Sequence, residues 1–135
     1  MTSLSQVLQW LLPDGRPLVH WLIEVDDRGI EVISKWTRPE PKPTAQQIAA
    51  AELPAAKSIK IAAINAECRS RLITRYGSAE EQVSRAVGVY GVSERDAMEA
   101  GIASTIDASN TASDQVDAAS TVAAVEAVTV AWPVI

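Results

Sequence analysis

His20 and Cys68 are the only histidine and the only cysteine, the two side-chain types best placed for acid–base or nucleophilic work near neutral pH. His20 falls on an expected strand with no Ser or Cys partner at a recognisable spacing, and it reads as an ordinary strand residue. Cys68 sits on the apolar stripe of an expected helix, where a free thiol behaves as a small hydrophobe. Glu24, Asp26, Asp27 and Glu31 gather around a turn and have the oxygen chemistry for calcium. Their spacing lacks the ligand ladder of an EF-hand, so a solvated turn is the better reading. Arg69, Arg71, Arg75 and Arg85 have the charge to meet phosphate, yet no aromatics interleave with them and the chain is acidic overall. A charge match between helices accounts for them better. No Gly-rich phosphate loop, metal-spaced His/Cys cluster or nucleophile elbow occurs. No catalytic, cofactor-binding or metal residue is therefore assigned, no cofactor is implied, and the chain reads as non-enzymatic.

The elements around these residues divide at a proline-rich stretch. Pro39, Pro41 and Pro43 alternate with Glu40 and Lys42, removing backbone donors and pushing the preceding residues toward extended conformations. Neither a helix nor a central strand runs through such a spacer. Thr44 and Gln47 then form a capping-box pattern that opens a helix. Upstream, Leu18 to Val25 and Ile30 to Trp36 are rich in β-branched and aromatic residues and flank Asp26-Asp27-Arg28-Gly29. That pattern predicts a β-hairpin with Gly29 in the left-handed position. Strict alternation would put Val19, Trp21, Ile23 and Val25 on one face, and Ile30, Val32, Ser34 and Trp36 opposite Glu31, Ile33 and Lys35. Residues 2 to 12 read as a short amphipathic helix, and Pro13 to Pro17 as a reversal.

Downstream the spacing is helical. Pro54 is expected to break or kink the helix, leaving pieces at 45–52 and 54–76, the second with Ile61, Ile64, Cys68, Leu72 and Tyr76 on its buried stripe. Ser78 to Glu81 opens a helix with Val83, Ala86, Val87 and Tyr90 on its apolar face. Ser93 resembles a third cap. Met98, Ile102, Thr105, Ser109, Ala112, Val116, Ala119 and Ala123 then step as a thin heptad-like seam of coiled-coil type. Positive charge gathers on 57–75 and negative charge on 94–117, which predicts antiparallel pairing of these helices. Val128, Val130, Trp132 and Val134 alternate with Thr129, Ala131 and Pro133, as an extended tail able to add to a sheet edge would.

With 135 residues, the chain suits one compact domain or a small head and a helical body. Aromatics are 4% and Phe is absent, so helices pack through small side chains. A formal net charge of -5 argues against non-specific binding to nucleic acid or an anionic membrane. One cysteine rules out an intrachain disulfide and fits a reducing cytoplasm. The tail from 121 to 135 is shorter than the roughly 20 residues a bilayer span needs. No secretory signal is read in the first 13 residues, and a soluble protein is expected.

Lys35 to Thr44, followed by Ala45-Gln46-Gln47-Ile48, resembles the tryptophan, proline-rich spacer and capped helix of small tail-fibre-like and tail-fibre-assembly proteins of tailed phages and prophages. Ala62 to Leu72 and Gly101 to Asn110 are similar to paired helical segments near the C-termini of such proteins, where a Trp-Pro like Trp132-Pro133 often follows. The resemblance implies a non-enzymatic structural component of a virion tail, synthesised in the host cytoplasm and acting by docking onto other tail or fibre proteins. Its rival is a tail-fibre assembly chaperone absent from the finished particle.

The expected architecture is α+β. It comprises a β-hairpin region at 1–37, a spacer at 38–44, and a helical body with an extended tail at 45–135. Trp21, Trp36, Val128, Val130 and Trp132 are the candidate interface residues, and a homo-oligomer is expected because the apolar hairpin face and the tail need cover.

Overall fold

Over residues 2–134, which the computed structural model describes, the chain is mixed helix and strand. Contacts divide it into two compact units, one of residues up to 58 with 120–126, the other of 59–119 with the tail from 127.

The first unit begins with α1 (Leu4–Leu11). Ser3 caps it: its Oγ accepts the Gln6 N–H at 3.2 Å, and the Gln6 side chain accepts the Ser3 N–H at 2.8 Å, a reciprocal box that satisfies two otherwise orphaned donors. Val7 and Leu8 are its buried residues. Gln9 then donates to the carbonyls of Pro13 and Gly15, which holds the reversal after the helix.

β1 (Trp21–Val25) and β2 (Glu31–Trp36) form a two-stranded antiparallel sheet. The turn between them is built as its residues dictate. Asp26 exchanges backbone bonds with Gly29 and Ile30, its carboxylate accepts the N–H groups of Arg28 and Ile30, and Gly29 sits at φ 77°.

Two expectations for the hairpin are corrected. β1 starts at Trp21, not Leu18, because residues 18–20 form a turn in which Leu18 takes φ 67° and the N–H groups of Val19 and His20 bond to the Arg16 carbonyl. Strict alternation also fails, since the register slips between Leu22 and Ile23: Leu22 pairs with Lys35 but Ile23 with Ile33. Ser34 is the extra residue of a β-bulge, and a bulge reverses the phase of every side chain beyond it. Ile33 therefore joins Trp36 on the shielded side, while Val32 is exposed.

No regular element occupies 37–44. Thr44 then caps α2 (Ala45–Tyr76) with the predicted reciprocal bonds to Gln47, at 2.9 and 3.2 Å. Pro54 does not break α2, contrary to the sequence expectation. Ala51 and Ala55 lie on either side of it and both pack with Val7, Leu11 and Ile48 in one apolar cluster. Burial of both flanking turns opposes the loss of one helical hydrogen bond.

The second unit takes the rest of α2, α3 (Ala79–Ala86), α4 (Val92–Ala118) and the tail. Ser78 caps α3 by accepting the Glu81 N–H. The cap expected at Ser93 is not used: α4 starts two residues earlier than that cap would set it, at Val92 behind Gly91, with no side-chain cap. Met98, Gly101, Thr105, Ser109, Ala112 and Val116 form the buried stripe of α4, and Cys68 Sγ lies 4.0 Å from the Thr105 carbonyl. Thr105 satisfies its own buried hydroxyl by donating to the Gly101 carbonyl at 2.7 Å. The seam expected to reach Ala123 stops with α4, and a short helix, α5 (Val122–Ala127), follows.

The charge match expected between α2 and α4 is not formed at several of its positions. Arg71 pairs with Glu67 on its own helix and Arg85 with Glu94. Arg69 and Arg75 of α2, and Glu99, Asp107 and Asp114 of α4, make no ion pair among the described residues.

Candidate functional site

The interface candidates fall into two groups, one inside each unit. Trp21 is only 1% exposed, donates its indole N–H to Ser5 Oγ at 3.1 Å, and stacks on Trp36 with centroids 6.0 Å apart and planes 16° from parallel. A Cβ on Gly15 would run into the Trp21 ring, so the reversal after α1 needs glycine to close over it. Trp21 is thus an internal anchor rather than a free docking residue. Trp36 is half-buried and donates to the Glu40 carbonyl at 2.8 Å, tying the spacer back to the sheet.

That bond sets Glu40 beside Arg38. The Arg38 guanidinium donates to both Glu40 carboxylate oxygens, at 2.9 and 2.8 Å, and to both oxygens of Asp14 at 3.2 Å, and its side chain is 6% exposed. Hydrogen bonds from Arg38 hold the Glu40 carboxyl down to about 2. The bonds to Glu40, then to Asp14, stabilise the Arg38 cation in turn.

On the same unit a groove of about 860 Å³ runs between β2, the start of α1 and the first turns of α2, with Leu4, Val25, Ile30, Val32, Pro43 and Ile48 among its apolar lining. Glu31 stands in it and accepts the Leu4 N–H.

The tail group is placed differently from expectation. The sheet has only β1 and β2, and Val128 to Val134 is not a strand added to it. Instead Val128, Val130 and Trp132 line a cleft with Lys60, Ile64 and Glu67 of α2, and Arg71 lies 4.8 Å over the Trp132 ring. A cation over an indole is favourable without any β-ladder. All three alternate residues are half-buried.

The most exposed apolar stretch was read in the sequence as a helix face. Val83, Val87, Val89, Tyr90 and Val92 are each between 60% and 71% exposed. α3 ends at Ala86 and buries no residue, so Val87 to Tyr90 belong to the connection into α4, not to a packed face. Arg85 lies 3.6 Å from Glu94 and 6.0 Å from the Tyr90 ring, bracing that connection.

The residues weighed for chemistry are engaged structurally. His20 Nδ1 accepts the Arg16 N–H at 2.9 Å. Cys68 is a buried free thiol, and it belongs to a different unit from His20. Asp26 holds the hairpin turn and Glu31 holds α1. Among the described residues no three His, Cys, Asp or Glu side chains come together as a metal site, and no helix is long and apolar enough to cross a membrane. What the surface offers is apolar area and shape.

Residues 4–60 match the model of the XkdW protein family, a phage family of the SPP1/PBSX-like kind. The matched stretch takes in α1, the hairpin, the spacer and the first half of α2, and it ends two residues past the first unit's break in α2. The tryptophan, spacer and capped helix at 35–48 lie inside it, whereas 62–72, 101–110 and Trp132-Pro133 lie outside. The match supports a phage-associated protein and carries nothing specific to tail-fibre assembly. No curated protein and no solved structure matches the chain.

Proposed function

We propose that the chain is a non-enzymatic structural component of a tailed-phage virion, associated with the tail or its fibres, that works by docking onto other tail or fibre proteins. The phage-family match over 4–60 supplies the setting. The observation that carries the docking role is the run from Val83 to Val92, whose five large apolar side chains stand in solvent. Such a cluster costs free energy in an isolated chain and is relieved by a partner's apolar surface. The hairpin unit would then provide the phage-specific attachment and the helical unit the second contact.

One observation favours a second reading, that of a fibre-assembly chaperone. The groove beside β2 is apolar and open, and could hold an extended segment of a fibre until it folds. The test is complementation after assembly. Particles produced without this chain are inspected by electron microscopy and then mixed with purified chain. A structural component restores the missing tail feature or infectivity when added late. A chaperone restores it only when present during assembly.

A further inference from the structure

We propose that the α2/α4 face of the helical unit docks a second copy of this chain, α2 of each copy lying antiparallel on α4 of the other. A groove of about 490 Å³ runs between these helices. Its lips are Asn65, Arg69 and Ile73 on α2, at four-residue steps, and Ile106 and Asn110 on α4, with Ala79 and Gln82 of α3 also lining it. Ile73 is 51% and Ile106 41% exposed, so two large apolar side chains flank a depression that the chain itself leaves open.

Charge selects the occupant. Among the described residues Arg69 and Arg75 of α2, and Glu99, Asp107 and Asp114 of α4, make no ion pair. Copies related by a two-fold axis along the helices place basic α2 on acidic α4, twice. A two-fold across the helices would set α2 on α2, with like charges opposed, which is unfavourable. The contact between Cys68 and Thr105 fixes how the helices are level with one another. Arg69 of one copy then arrives within about one helical turn of the level of Asp107 of the other. The pairing needs no virion, so a dimer of a chain absent from particles would leave it standing while the proposed function fell.

The experiment is sedimentation equilibrium of the full chain, from about 1 to about 100 µM, with Ile106→Asp, Arg69→Glu, Asp107→Arg, the last two combined, and Val87→Asp. Far-UV circular dichroism checks that each variant is folded, and the exposure of all these sites favours that. The expected result is a dimer whose dissociation constant rises at least about tenfold in Ile106→Asp, rises in each charge reversal, and recovers in the combined variant, with Val87→Asp unchanged. A chain monomeric throughout overturns the proposal. So does a dimer that Ile106→Asp leaves intact, one broken by Val87→Asp instead, or a combined variant no better than the single reversals.

Discussion

Trp21 and Trp36 stack across the hairpin because the bulge at Ser34 and the register beyond it bring them opposite each other, one ring fully buried and the other half-covered. Removing the Trp21 ring leaves a cavity under Gly15 and strands the Ser5 hydroxyl. Trp21→Ala should destabilise the chain by about 3–5 kcal/mol, and Trp36→Ala by clearly less. Urea denaturation followed by circular dichroism checks both the size and the order.

Arg38, Glu40 and Asp14 predict an acid-sensitive element. The Glu40 carboxyl is held at about 2 in the folded chain against an ordinary value of 4.5. The unfolded chain therefore takes up the proton first as pH falls, so this stabilisation is complete above about 4.5 and is lost between there and about 2. Glu40→Gln should flatten the fall in stability across that window and leave the slope near neutrality unchanged. Because Glu40 is half-exposed, added salt should shrink the difference between the two proteins. Urea midpoints measured from pH 2 to 7 for both proteins, at low and high salt, test the set.

Leu18 and Gly29 make opposite predictions from the same backbone region. Leu18 holds φ 67° with its side chain exposed, a conformation that costs a non-glycine residue about 1–2 kcal/mol. Leu18→Gly should raise stability or leave it level, since the relieved strain offsets the entropy glycine adds to the unfolded chain. Gly29→Ala imposes the strain that Leu18→Gly removes and should lower stability by about 1 kcal/mol. In thermal melts Gly29→Ala should fall below the parent chain and Leu18→Gly should not.

Much of the hairpin unit was legible locally. The Asp26-to-Gly29 turn and the Thr44–Gln47 box are signals written within four residues, and both are formed as read. What failed was decided at longer range. The Ser34 bulge leaves no mark in an alternating sequence, and the continuity of α2 through Pro54 depends on Val7, which lies far upstream. The tail's apolar alternation read as an extended segment for a sheet edge, but the same alternation also suits packing along a helix, where Arg71 lies over Trp132. The exposed stretch from Val83 to Val92 was concealed by a plausible helical period, though Gly88 and Gly91 within it signal that the helix ends. Both take positive φ.

Trp132 fastens the tail through Arg71 and the Lys60–Glu67 side of α2. Trp132→Ala should loosen residues 128–134 and lower stability by about 1–2 kcal/mol, without unfolding the hairpin unit. Amide hydrogen exchange read by mass spectrometry should show faster exchange in the tail and in α2 near Arg71, with the amides of β1 and β2 unchanged. Slower exchange in the tail, or loss of protection in the sheet, would show that the tail is held elsewhere.

The virion claim is tested most directly by quantitative mass spectrometry of particles purified from a lysate of the phage or prophage that encodes the chain. The account predicts peptides from both units, including 4–60 and 79–118, in a fixed ratio to the tail proteins that survives repeated density-gradient purification. A chain abundant in the lysate but absent from the purified particles would contradict it.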